Sequence, residues 1–300
     1  MWLLDHLNKP EYIFRPSQII TRLRREYQKP RQFEELTLTW GAKIKFQADE
    51  IVGRALWTVG VADPTVTEVI WRLADSGETT VDVGANIGYM TSLLAARVGA
   101  RGKVIAFEPH PGTFRLLSEN VAVWRRDLGA PIETHQVALS DYDGDGLLGL
   151  PRDFNQDRAL ASLSLSSDRV AATIPVQVRR VDSLVKEPIG MMKIDIEGHE
   201  LLALRGALEL IGRRQIRDII FEEHGNYPTP VTDFLEDQGY TLFNLGQRIL
   251  GPKVNAVREG SCHRRWDSRS CLATIEPSRA LARLRKSGWE TLRRPRGTAP

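Results

Sequence analysis

Apolar and polar positions follow two rhythms along this chain, and the change between them falls near Thr79. Before it, Ile19, Ile20, Leu23 and Tyr27 recur at helical spacing and predict a helix over 17–27. Leu36, Leu38 and Trp40, then Ile44 and Phe46, alternate with polar residues and predict a small β element turning at Trp40-Gly41. Asp63-Pro64-Thr65 opens a second helix. Asp63 is a good cap, Pro64 suits the first helical position, and Val66, Val69, Ile70 and Leu73 share one face.

From Thr79 onward short β runs alternate with helical segments. Strands are expected at 79–83, 103–107, 132–138, 191–196, 216–221, 240–245 and 271–275, and helices at 89–98, 111–124, 199–211 and 229–238. Repeated strand–helix–strand units predict an α/β fold, a mostly parallel sheet with helices on both faces. Residues 141–151 read as turn-rich and 160–168 as a Ser-rich loop, while 174–181 reads as an edge strand because Pro175 cannot donate to a ladder. Segments 141–170 and 251–270 are expected to be loops suited to covering a substrate. The end, 278–300, predicts a basic helix running into a Pro/Gly-rich, solvated tail.

Composition narrows the class. Three hundred residues, 42% hydrophobic and 26% charged, suffice for a sizeable core and exclude wholesale disorder. No apolar run approaches the ~18–20 residues that span a bilayer, and the start lacks the pattern of a signal peptide. The two cysteines, Cys262 and Cys271, have no CxxC spacing, which excludes a zinc ribbon or a disulfide scaffold and fits a reducing cytoplasm. Charge is uneven: from Pro252 onward twelve Lys/Arg face four acids, a net +8, whereas the body before it is −5. The basic end therefore says little about what the body binds.

The candidate chemistry sits where strands end. Asp82-Val83-Gly84-Ala85-Asn86-Ile87-Gly88 places an acid, a tight Gly loop and a helix start in succession. Its D-x-G-x-x-x-G spacing differs from the dinucleotide G-x-G-x-x-G, and the acid suits a ligand carrying positive charge, as S-adenosylmethionine does. Glu108 lies 20 residues after Gly88, where an acid bonds ribose hydroxyls in βαβ nucleotide sites. Ser140 and Asp141 follow the third strand and are either cofactor contacts or plain turn formers. Lys193, Asp195 and Glu197 alternate on one strand face, a costly arrangement unless they meet a polar pocket. Asp195 or Glu197 is then the candidate base for a substrate hydroxyl, with Lys193 tuning it, and an ion-pair cluster is the structural alternative. His199 is expected to cap the following helix. Glu222, Glu223 and His224 end another strand; they read as pocket lining, with a divalent metal as an alternative that the spacing does not demand.

Taken together, VDVGANIGYMTSLLA (81–95), VIAFEPHPGTFRLLSENV (104–121), VALSDYDG (137–144), VDSL (181–184) and MKIDIEGHELLALRGA (192–207) resemble the FkbM family of S-adenosylmethionine-dependent methyltransferases over roughly 50–250. The resemblance implies a class I methyltransferase (Rossmann-like) fold, seven strands with one antiparallel near the edge. It implies O-methylation of a small molecule or glycan: a sugar, a lipid-linked glycan or a polyketide-type alcohol. Asp82, Gly84, Asn86 and Gly88 match the cofactor loop, Glu108 the ribose acid, and Lys193, Asp195, Glu197 and Glu200 the K-x-D-x-E-G-x-E signature, whereas His199 stands where many members have a small residue. The organisation expected is an N-terminal helical/β extension over 1–50, the methyltransferase domain over 51–276 and a basic tail over 277–300. Two competing readings are a nicotinamide-dependent oxidoreductase and a non-catalytic fold whose tail binds nucleic acid or an anionic membrane. The acidic body argues against nucleic acid as a partner, peripheral membrane contact through the tail stays open, and the chain does not specify an oligomeric state.

Overall fold

The computed structural model describes residues 10–14, 17–26, 28–152, 154, 161–164, 168–257 and 269–292. Helices α1 (Pro10–Phe14) and α2 (Ser17–Glu26) precede a hairpin of β1 (Glu34–Thr37) and β2 (Lys43–Phe46), and α2 packs on α3 (Ile51–Thr58). The hairpin turns where expected, with Gly41 at φ +90°, and buries Ile44 and Phe46. Helix α4 (Pro64–Leu73) starts as its sequence dictates, the Asp63 carboxylate accepting from the Val66 N–H at 3.0 Å.

The centre is a sheet of β3 (Thr79–Val83), β4 (Lys103–Phe107) and β5 (Ile132–His135), joined by α5 (Tyr89–Val98) and α6 (Pro111–Asp127). Further along, β9 (Ile189–Ile194), β10 (Ile216–Glu222), β11 (Thr241–Arg248), β12 (Gly251–Ala256) and β13 (Ser270–Thr274) extend it. Its order is β12-β11-β13-β10-β9-β3-β4-β5, with β13 antiparallel to both neighbours and β12 antiparallel to β11. Seven of these strands form the expected arrangement; β12 is an eighth, in a stretch read from sequence as a loop. Gly251 and Pro252 hide it, and an edge strand is where a sheet tolerates proline. One large cluster of buried side chains lies under α4, α5 and α6, and another under the helices between β9 and β11.

Two further departures have local causes. The run 132–138 divides: β5 stays at the sheet's edge, and β6 (Ala138–Leu139) joins β7 (Gly144–Pro151) and β8 (Val170–Arg179) in a second sheet of order β6-β8-β7. Glycines conceal β7, which is a strand and not a turn. Pro175 lies on the middle strand, yet β6 reaches only Val178 and Arg179, so β8 is an edge at that point. The helix expected over 199–211 also splits, after the short α7 (Val181–Leu184), into α8 (Glu200–Arg205) and α9 (Leu208–Gly212). The Asp182 carboxylate breaks it by accepting from the N–H groups of Glu209 and Leu210.

Past α10 (Pro230–Asp237) and β13, the basic end is no solvated tail where it is described. Helix α11 (Pro277–Leu284) packs on α4, and Trp289 and Leu292 are fully buried. Arg279 pairs with Asp218 at 3.0 Å and Asp75 at 2.6 Å, and Arg283 with Asp75 at 2.6 Å. Glu68, buried on α4, accepts from Arg72 and from the N–H groups of Glu290 and Thr291, while Arg72 donates to the Leu284 and Gly288 carbonyls. Counting charges misses this because the compensating acids are distant in sequence. Arg264, Arg265, Arg293, Arg294 and Arg296 lie outside the described residues.

Candidate functional site

A cavity of about 290 Å³ opens where β3, β4, β9 and β10 end, the edge of an open α/β sheet at which ligands bind. One wall is polar, with Asn86, Glu108, Lys193, Asp195 and Glu222; the other is apolar, with Val52 and Ala55 of α3, Val66 of α4 and Met90 of α5. Beside it, a recess of about 20 Å³ is lined by Phe107, Pro109, Leu139, Ile196 and His199.

The Gly loop is shaped by the protein's own packing. Gly84 has φ +73°, and a Cβ there would stand 2.0 Å from the Asp195 carbonyl oxygen. A Cβ on Gly88 would stand 2.6 Å from Leu117 Cδ1 and 2.8 Å from the Trp124 ring. Both glycines are therefore needed to seat the loop, and Gly84 and Asn86 reach the cavity while Gly88 does not. Asp82 is fully buried beneath the loop: Oδ2 accepts from the Thr91 hydroxyl at 2.5 Å, and Oδ1 has no hydrogen-bond donor among the described residues. Burial raises its pKa. Lys193 stands between two acids, 3.7 Å from Asp82 and 3.3 Å from Asp195, and donates to the Gly84 carbonyl at 3.2 Å. Burial pulls this ammonium down, but the Asp195 and Asp82 carboxylates outweigh it and hold its pKa above the ordinary lysine value.

Glu108 is clamped. Its carboxylate accepts from the N–H groups of Asn86 at 3.0 Å and His110 at 2.9 Å. Burial pushes it up to about 7 against those two donors. Glu222, the last residue of β10, is pushed up to about 8 by burial and then by the charges of Asp195 and Glu197. Asp195 and Glu222 thus stand together at the cavity wall.

Glu197 is not on a strand face with Lys193 and Asp195. Strand β9 ends at Ile194, and Glu197 has φ +55° in a turn whose N–H groups, Ile196 and Gly198, donate to Glu200. The turn sends Glu197 to Glu222 and His224, the three offering ligand atoms within 4.8 Å of one another. That set suits a divalent cation. Both ring nitrogens of His224 already have neighbours: Arg269 donates to Nδ1 at 2.8 Å and Nε2 faces Glu222 at 3.4 Å, while burial and then the Arg269 charge lower the imidazole's pKa.

Ser140 is buried and Asp141 exposed, and neither lines the cavity. Ser140 Oγ meets Asp141 Oδ1 at 3.2 Å and His199 Nε2 at 3.0 Å, and His199 Nδ1 meets the Ser164 hydroxyl at 2.6 Å. His199 makes no side-chain cap; it ties the 161–164 segment to the end of β6 beside the small recess. Sequence reasoning missed this bridge and the apolar wall from α3 and α4, whose residues carry no signal apart from ordinary core periodicity.

The sheet order, the strand-end cavity and the glycine loop define a class I methyltransferase. Residues 82–242, more than half of the chain, match the methyltransferase FkbM domain. The chain belongs to that family. Among curated relatives, it is 27% identical over 203 residues to hexuronic acid methyltransferase AglP of Haloferax volcanii, covering 66% of this chain and 77% of that protein. It is 26% identical over 193 residues to methyltransferase sdnD of Sordaria araneosa, covering 54% and 73%. A solved FkbM methyltransferase from Methylobacillus flagellatus KT superposes with a TM-score of 0.44 at 19% identity, over 67% of this chain and 44% of that one.

Proposed function

We propose that the protein transfers a methyl group from S-adenosylmethionine to a hydroxyl of a small molecule or glycan. The observation that carries the reading is one cavity with two carboxyl arrangements: Glu108, clamped by two backbone donors, and the Asp195–Glu222 pair beside Lys193. The name of the Haloferax volcanii relative, a hexuronic acid methyltransferase, supports a glycan-type substrate.

The residues fit the cofactor's chemistry. Glu108 keeps lone pairs toward the cavity for vicinal ribose hydroxyls. Asp195 lines the cavity and Asp82, with an orphaned buried oxygen, lies beneath its glycine loop, placing acids on the side of a ligand that carries an ammonium and a sulfonium. The apolar recess by Phe107, Pro109 and Ile196 suits a base's face. When bound, S-adenosylmethionine supplies an electrophilic methyl on a sulfonium.

The chain's task is then to align a hydroxyl, exclude water and accept its proton. Glu222 is tuned for the last step, because a carboxyl titrating near 8 is a stronger base than an ordinary one. Asp195 raises it by repulsion, and Lys193 holds Asp195 in place. Calorimetric titration with S-adenosylmethionine and, in parallel, NAD tests the reading on wild type and Glu108→Ala. Micromolar binding of the first, weakened at least about tenfold by the substitution, is expected. Binding of NAD alone would replace this reading with the oxidoreductase.

A further inference from the structure

Among the described residues, ten large hydrophobic side chains are exposed, and five of them gather on the N-terminal helices: Ile13, Ile19, Ile20, Leu23 and Ile51, each between 44% and 61% exposed. Helix α2 explains the grouping. Its inner side is marked by Arg25, whose guanidinium sits 4.2 Å from the Trp57 ring centroid and donates to the Trp57 carbonyl. At about 100° per residue, Ile19, Ile20 and Leu23 lie on the arc opposite Arg25, away from α3. A soluble surface spreads such residues singly; a helix that turns its apolar arc outward has an unmet partner.

Charge identifies the partner. Between Pro10 and Arg31 six Lys/Arg face two acids, a local reversal within a body that is net negative. Arg22 and Arg24 flank the apolar arc and are exposed, as are Lys29 and Arg31 just beyond the helix. Apolar residues on one arc with basic residues at its borders match a helix lying in a headgroup layer. No helix among the described residues is long and apolar enough to cross a membrane.

We propose that α1, α2 and the first turn of α3 dock on an anionic bilayer. Ile51 belongs to both features, exposed on this face and lining the cavity, so docking sets the cavity mouth at headgroup level. Arg279 and Arg283 of the basic end are already paired with Asp75 and Asp218.

Flotation of the full chain with vesicles tests this, using phosphatidylcholine alone or with an equal part of phosphatidylglycerol. The wild type is expected to float with the anionic vesicles and not the neutral ones, and to be released as salt rises. Ile20→Asp/Leu23→Asp is expected to lower the partition at least about tenfold, and Arg22→Glu/Arg24→Glu to remove the preference for anionic lipid. Unchanged circular dichroism and S-adenosylmethionine titration in these variants exclude misfolding, and vesicle binding does not depend on the methyl-transfer reading. Failure of the wild type to float, or flotation unaffected by either double variant, overturns the proposal. So does light scattering that shows a dimer dispersed by Ile20→Asp/Leu23→Asp, which would make the face a contact between copies.

Discussion

The strand-end loops and the C-terminal strap both gather charged side chains, yet their charges serve opposite ends. Arg279 and Arg283 of the strap meet the carboxylates of Asp75 and Asp218, and Arg72 of α4 pairs with Glu68 and donates to the strap's carbonyls. In the site, Asp195, Glu197 and Glu222 crowd one another, and burial and repulsion push Glu222 up to about 8. Satisfied charge stabilises a fold; frustrated charge is a reservoir of proton affinity. The difference lies in where the partners stand, which a charge count does not report.

Four measurements break or sharpen that contrast. The largest effect is expected from Glu222→Gln, which removes the proposed base: kcat falls by about 10²–10⁴ while the folded state survives denaturant at least as well. A loss of fold with no loss of turnover per folded molecule would make Glu222 structural. Next, Arg72→Met leaves Glu68 buried without its cation and costs about 3–5 kcal/mol of unfolding free energy, read from urea curves. S-adenosylmethionine affinity of the folded protein stays unchanged, because the strap does not reach the cavity.

The third is a pH dependence. Glu222 rises from an ordinary 4.5 to about 8 on folding, so between those values the unfolded chain has released a proton that the folded chain keeps. The folded state binds more protons there, and stability falls as pH rises, by at most about 1.4 kcal/mol per pH unit for one group. Turnover moves the other way, rising through about 8 as Glu222 ionises. Glu222→Gln is expected to flatten both trends; trends unaffected by it would assign the titration elsewhere. The smallest effect is expected from chelation: with Arg269 and Glu222 already beside the two ring nitrogens of His224, EDTA leaves turnover within about twofold. A large, zinc- or magnesium-reversible loss would make Glu197, Glu222 and His224 a metal centre.

Legibility followed the range of the interactions involved. Asp63 capping α4, the loop at Gly84 and the position of Glu108 are set within a few residues or one βαβ unit, and each was readable. Strand β7 was not, because its glycines carry no alternation and its pairing with β8 is what makes it a strand. Alternation continued past Ile194 puts Glu197 on a strand face, but the strand ends at Ile194 and Glu197 itself has a positive φ. Ser140 reads from sequence as a cofactor contact or a turn former, and its contact with His199, 59 residues away, is visible only in the fold.

By itself the sequence determined the α/β rhythm, seven strands of the main sheet and the acids at their ends, because hydrophobic period, caps and glycine loops act locally. Only the tertiary structure decided which of those charges are satisfied. It turned the basic end into a buried strap, added β12 at the sheet edge, paired Asp195 with Glu222 and left the apolar arc of α2 facing outward. Each of those outcomes depends on groups brought together across the fold, and a charge or an apolar face acquires its meaning from what stands opposite it.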